Sequence, residues 1–341
     1  MKEQQFRNKV IWFTFVFSLF VIWVHSYNAE LYLGKTPQAA RLYQIEHWIG
    51  EGIGQIAVPG FFMISAFLFY RGFSWNKLIT KWDLRVRSVL LPFILWNFLY
   101  YIGYVIGSRI PWLTDVVGKG TVPFNLSALV DAVLHYTYNY VFWYLYQLIL
   151  LILLAPVLYL LLNKWWVGIV FQLCLWGLML ARIDLGQLNL DALIYYSFAA
   201  FLGLHGRKTV EAGGSRIRLA TGVLLIVLGG VVYYMALVLA SPPLLVLCRL
   251  LMVTGLWTAV PGERLPEPKQ WMTCNFFLYA THFALVRLIN KIGARILPAL
   301  LPVPLLLYLL LPLIALAVSY PVGKLLRYRL PRIWNLLNGG R

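Results

Sequence analysis

Long apolar runs, broken by short polar segments, recur from one end of this chain to the other. A helix needs roughly 20 apolar residues to cross a bilayer. The pattern predicts ten such segments, at 10–29, 52–71, 88–108, 141–162, 165–181, 190–206, 219–240, 243–260, 271–290 and 301–323. The fifth and sixth are the shortest. A further stretch, 125–138, has an amphipathic pattern that predicts a surface helix ahead of the fourth span. No internal repeat and no low-complexity tail interrupts the series. The expected architecture is an all-α integral membrane protein with about ten transmembrane helices in one bundle. Residues 1–341 read as one transmembrane domain with no separate soluble domain.

The first segment follows a basic start, Lys2, Arg7 and Lys9, as a signal peptide would. No small-x-small cleavage site follows Val24, where the chain continues His25-Ser26-Tyr27-Asn28, so the segment reads as a retained transmembrane helix. Tryptophan and tyrosine crowd the ends of the spans, as at Trp165-Trp166 and Tyr27, in the manner of interfacial anchors. Prolines 59, 92, 156 and 312 lie in or near spans, where neighbouring helices can satisfy the freed carbonyls.

Composition sharpens this picture. The chain is 61% hydrophobic and 12% charged, with mean hydropathy +0.75 and net charge +17. In a soluble protein that charge would suggest a nucleic-acid partner; here no folded soluble segment is long enough to present a basic face. With the N-terminus in the cytoplasm and the spans alternating, twenty of the 29 basic residues fall on inside segments and seven outside, leaving Arg249 and Arg287 within spans. That asymmetry matches the positive-inside rule with both termini cytoplasmic. The three cysteines, Cys174, Cys248 and Cys274, lie in apolar stretches without CxxC spacing and suggest neither a disulfide framework nor a metal site.

Ionisable groups inside a membrane are costly and are candidates for function. Three stand out. His25 lies about 22 Å along a helix that starts near Val10. It reads either as an interfacial histidine bonded to a carbonyl or headgroup, or as a general base facing the bundle interior, a role imidazole suits because it titrates near neutral pH. His282 lies about 16 Å from Trp271, near mid-membrane, as a core histidine or a site residue. Arg249 lies about 9 Å in from Pro243. It either snorkels to the interface or holds an anionic group in a polar cavity. No GxSxG, Walker loop, HExxH or dinucleotide fingerprint occurs, and Gly50-Glu51-Gly52-Ile53-Gly54 lies at a span boundary rather than between a strand and a helix.

Five segments, taken in order, resemble the acyltransferase-3 family: VIWVHSYN (21–28), AVPGFFMISAFLFY (57–70), LRVRSVLLPFILWN (84–97), FWYLYQLILLILLAPVL (142–158) and FFLYATHFAL (276–285). The resemblance implies a bacterial, multi-pass O-acyltransferase of the cytoplasmic (inner) membrane. Such a protein moves an acetyl or succinyl group from a cytoplasmic donor such as acyl-CoA to a hydroxyl of an envelope polysaccharide or its lipid-linked precursor. It implies no bound cofactor and no metal. The family's first-helix histidine maps onto His25 and its late histidine onto His282. Two departures occur: the basic residue many members carry eleven positions before the histidine is Thr14, and the glycine of the second-helix motif is Ala66.

On this reading His25 is the catalytic base, with direct transfer and an acyl-histidine both open. Candidate supporting residues are His282, and, as oxyanion donors, Arg249, Ser65, Trp143 and Tyr144. Arg71, Lys77, Lys81, Arg85 and Arg87 are candidates for attracting donor phosphates, or simply mark topology. The outer segments 28–51, 109–126 and 182–190 would shape the acceptor site; Arg182 with Asp184, and Asn189 with Asp191, are either sugar ligands or solvated loop residues. The lipid bilayer, acyl-CoA and a glycan or glycolipid acceptor are the expected partners. Two other classes fit the same polar spans: a non-enzymatic carrier or exporter, and an inactive scaffold of a glycan-synthesis complex, which Thr14 keeps open.

Overall fold

The computed structural model describes residues 1–340, which contain helices and turns and no strand. In chain order the helices are α1 Glu3–His25, α2 Ala39–Gly52, α3 Ala57–Tyr70, α4 Leu78–Arg85, α5 Leu91–Gly107, α6 Pro111–Val117, α7 Leu126–Leu134, α8 Trp143–Leu153, α9 Ala155–Leu162, α10 Trp165–Leu180, α11 Leu190–His205, α12 Arg207–Val210, α13 Arg216–Val238, α14 Pro242–Ala259, α15 Asn275–Ile296, α16 Pro302–Arg329 and α17 Pro331–Asn338. Prolines open α6, α14, α16 and α17, where the missing N–H is one the helix would not use.

Among the described residues, seven helical runs are long and apolar enough to cross a membrane: Glu3–Tyr32, Ala39–Tyr70, Trp75–Gly107, Arg216–Val238, Pro242–Ala259, Gln270–Ile296 and Pro302–Arg329. The predicted 141–162 span is two helices bent by 63°. The predicted 165–181 and 190–206 spans are helices of 16 residues each. The largest departure is at 28–51, expected as an outer loop. It contains α2, whose buried Leu42, Glu46 and Gly50 recur every fourth residue on one face. A polar, half-apolar helix of this kind escapes a search for 20-residue apolar runs. The surface helix expected over 125–138 is α7, capped by Asn125 Oδ1 accepting from Ala128 N–H at 2.8 Å.

The bend between α8 and α9 has a local cause. Pro156 has no N–H to give the carbonyl of Ile152. That carbonyl accepts instead from the indole Nε1 of Trp82 at 2.9 Å. The Tyr70 hydroxyl donates to the Ala155 carbonyl at 3.2 Å, so the bent segment keeps its backbone satisfied.

The chain divides into two compact units, each drawn from three stretches. The first comprises Met1–Phe17, Gly54–Trp82 and Leu150–Met272. Here α13 and α14 pack through small residues: a Cβ added at Gly222 would stand 2.5 Å from the Ala259 backbone nitrogen, and one at Gly255 would stand 2.9 Å from the Gly222 carbonyl. The second unit comprises Ser18–Ile53, Asp83–Ile149 and the chain from Thr273 onward. Its core includes Ile22 of α1, Leu278 and Val286 of α15, and Leu311 and Ala315 of α16.

Candidate active site

The two predicted histidines belong to the second unit, and their rings lie 5.4 Å apart, centroid to centroid. His25 is the last residue of α1; His282 sits in the second turn of α15, fully buried. Local chemistry holds each in place. After His25, the Ser26 hydroxyl turns back to the Ile22 carbonyl at 2.6 Å, and Asn28 Nδ2 donates to the Pro304 carbonyl at 3.0 Å. The buried Glu46 of α2 accepts from the backbone N–H groups of Asn28 and Ala29 at 3.1–3.2 Å. Ser26 and Asn28 therefore end the helix and aim the histidine; the Ser26 hydroxyl and the Asn28 Nδ2 bond backbone carbonyls, while the Asn28 Oδ1 is buried without a partner. Around His282, the Tyr279 hydroxyl donates to the Val141 carbonyl at 2.7 Å and the Tyr100 hydroxyl to the Ala280 carbonyl at 2.9 Å.

The proton of His282 can be placed from its partner. His282 Nδ1 faces the Tyr279 carbonyl, which only accepts, so Nδ1 carries the proton. Its Nε2 is then a lone pair, and it is buried with no hydrogen-bond partner. His25 Nδ1 lies 3.0 Å from the hydroxyl of Tyr140, a residue the sequence reading did not single out. Tyr140 also meets Phe283 edge-on at 4.7 Å. The result is two imidazoles and a phenol in one cluster, with an unused basic nitrogen on His282.

A cavity of about 270 Å³ opens beside this cluster. His25, Tyr43, Glu46, Arg287, Asn290 and Lys291 are among its walls. In the sequence Lys291 falls among the outside charges and Arg287 within a span, and neither is marked as a site residue.

The other expected residues fall as follows. Tyr144, on the first turn of α8, meets Tyr279 edge-on at 6.2 Å, which brings it next to the His282 turn; Trp143 precedes it, half-buried. Ser65 of α3 and Arg249 of α14 belong to the first unit, where Arg249 is charge-coupled to Asp191 and Tyr195 of α11. Of the five basic residues at 71–87, Arg71 is already neutralised, with Glu3 and Glu211 each 2.5 Å from its guanidinium. Lys77 and Lys81 donate to the Gly72 and Phe69 carbonyls, and Arg87 pairs with Asp83 at 3.2 Å. Arg85 closes α4 just before a π-helical turn, Val86–Leu90. In the 182–190 segment, Asp184 accepts from Gly186 N–H and Asn189 caps α11, so both serve their own turns. Among the described residues no three His, Cys, Asp or Glu side chains gather as metal ligands.

The first unit holds its own apolar cavity, about 400 Å³, walled by Phe6, Phe13, Phe67 and Trp257, with Arg218 among its few polar members.

A family model described as an acyltransferase domain matches residues 9–324. The succinoglycan biosynthesis protein ExoH of Rhizobium meliloti (strain 1021) is 28% identical over 322 residues, covering 86% of this chain and 81% of its own. No solved structure matches the chain.

Proposed function

Because the chain belongs to the acyltransferase family whose model spans residues 9–324, and is a multi-pass membrane acyltransferase, we propose that His25 is the general base that moves an acyl group onto a glycan hydroxyl. The observation that carries this reading is the Tyr140 hydroxyl on His25 Nδ1. With Nδ1–H donating to the tyrosine oxygen, Nε2 keeps its lone pair for the acceptor's proton. The acceptor oxygen then attacks the thioester carbonyl, and collapse of the tetrahedral adduct breaks the C–S bond. The thiolate leaves and takes a proton, and the ester remains on the glycan. The neighbouring ring of His282, 5.4 Å away centroid to centroid, carries a second, unpartnered Nε2. Tyr144 and Trp143 remain the candidate donors to the oxyanion within this unit.

The donor is acyl-CoA carrying acetyl or succinyl, and the acceptor is an envelope polysaccharide or its lipid-linked precursor. The relative's printed role in succinoglycan biosynthesis supports a polysaccharide acceptor. Lys77, Lys81 and Arg85 are the residues for donor phosphates, since Arg71 and Arg87 already hold acidic partners. The chain crosses the bacterial inner membrane ten times as a single domain with both termini cytoplasmic, a reading supported by the inside bias of its basic residues.

Replacing His25 with alanine tests the proposal. Membrane-localised variant should leave envelope glycan at wild-type amounts with its acyl groups lost, measured by mass spectrometry. Intact acylation overturns the role of His25. Lost polymer export with acylation intact points to a carrier.

A further inference from the structure

Arg287 lies on a membrane-spanning helix, where an uncompensated charge is costly. Among the described residues neither Arg287 nor Lys291, one turn further on, forms an ion pair. Arg287 donates to the Tyr104 hydroxyl at 2.8 Å and to the Val117 carbonyl at 3.2 Å, and Lys291 donates to the Asp115 carbonyl. Neutral acceptors satisfy their N–H groups and leave both charges standing. Both side chains line the cavity that His25 lines.

The same cavity contains an unused acceptor. Asn290 is 4% exposed and spends its Nδ2 on the carbonyls of Ser26 and Tyr27, at 3.0 and 3.3 Å. Those carbonyls fix which end of the amide is nitrogen. Its Oδ1 is buried without a partner and needs a donor such as a hydroxyl. A third wall is aromatic. Tyr27 stacks on His47 at 4.7 Å, His47 meets Tyr43 at 4.1 Å, and Tyr43, 46% exposed, ends the ladder with a free face. Two carboxylates also line the space: Glu46, held by two backbone N–H groups, and the exposed Glu30. They can accept from hydroxyls and do not pair with the two cations.

We propose that this cavity is an acceptor subsite for an acidic sugar. A carboxylate or phosphate on the sugar sits against Arg287 and Lys291, a hydroxyl donates to Asn290 Oδ1, and a ring face rests on Tyr43. The volume of about 270 Å³ equals roughly nine waters' share of the liquid, enough for one sugar residue rather than a chain segment. The subsite deepens the acyltransferase reading and rests on it, since it stands where an acceptor hydroxyl would reach His25.

Direct binding tests it without turnover. The full-length protein in detergent micelles is titrated by NMR saturation transfer with methyl glucuronide, methyl glucoside, succinate and inorganic phosphate. Methyl glucuronide is expected to bind about tenfold or more tighter than methyl glucoside and than succinate. Arg287→Gln and Lys291→Gln each lower glucuronide affinity about tenfold and leave the glucoside unchanged, while Arg287→Lys keeps part of the preference. Lys291 lies toward the end of α15, so its variant reports even where Arg287→Gln fails to fold. Equal affinity for glucuronide and glucoside overturns the proposal, as does an unchanged preference in Lys291→Gln and Arg287→Lys together. Succinate binding as tightly as glucuronide overturns it too, and assigns the cations to a dicarboxylic acyl group. His25→Ala is expected to retain the binding while losing acylation, which keeps failure of the subsite apart from failure of the catalytic reading.

Discussion

At the scale of single residues, the contact that decides most is the hydroxyl of Tyr140 on His25 Nδ1, at 3.0 Å. Tyr140→Phe deletes one oxygen and keeps the ring that meets Phe283 edge-on. If the hydroxyl orients the imidazole, acyl incorporation into the glycan falls about tenfold or more in kcat while KM for the acceptor holds. A purely packing role predicts no change in either constant. His25 and His282 were legible because each sits in a short motif, VHSYN and YATH, inside an apolar run. The motifs concealed a division of labour, however. Ser26 and Asn28 bond backbone carbonyls on either side of the turn that follows the histidine. Tyr140 was not legible: nothing in the stretch YTYNYVF marks one tyrosine above the others, and its partner lies 115 residues away. Arg287 and Lys291 were hidden for another reason. Lys291 falls among the outside charges and Arg287 within a span, and the sequence does not show that, among the described residues, neither forms an ion pair.

At the scale of elements, the break between α8 and α9 shows how a membrane helix tolerates a proline. The carbonyl of Ile152, freed by Pro156, is taken by the Trp82 indole. Trp82→Phe leaves that carbonyl without a donor in a partly buried place, at a cost of about 1–3 kcal/mol. Pro156→Ala restores a helical N–H at the right position. Trp82→Phe is therefore expected to destabilise the protein in thermal unfolding in detergent, and less so in the Pro156→Ala background. Additive losses would remove the link between the two residues. The positions of most helices were readable from apolar run length. α2 was not, because its buried face carries Glu46 and Gly50 beside Leu42, and a face of that composition has no apolar signature. Yet α2 supplies both the carboxylate that ends α1 and the Tyr43–His47 wall of the cavity beside His25.

At the scale of the whole molecule, α10 and α11 decide how the chain threads the bilayer. Each has 16 residues, so about 24 Å of helix, against a hydrocarbon core of about 30 Å. Flanking groups can make up the difference: Trp165 and Trp166 begin α10 at one interface, and Arg182 follows its other end. With ten crossings the segment 182–189 is external; with α10 and α11 lying on one side it is cytoplasmic, like Lys164 before it and Arg207 after it. The orientation of every later helix is the same in both cases, so the positive-inside bias elsewhere cannot separate them. Arg182 can. Its removal costs the outer side only one basic residue, and its backbone, at φ 55°, lies in a tight turn after α10. In a background with Cys174, Cys248 and Cys274 replaced by serine or alanine, Arg182→Cys should react with a membrane-impermeant maleimide in intact spheroplasts. Lys208→Cys should react only after permeabilisation. Protection of both sites would set the count at eight and move the 182–189 turn to the donor side. Labelling of Arg182→Cys alone places that turn with the acceptor, on the face where an external glycan would be modified.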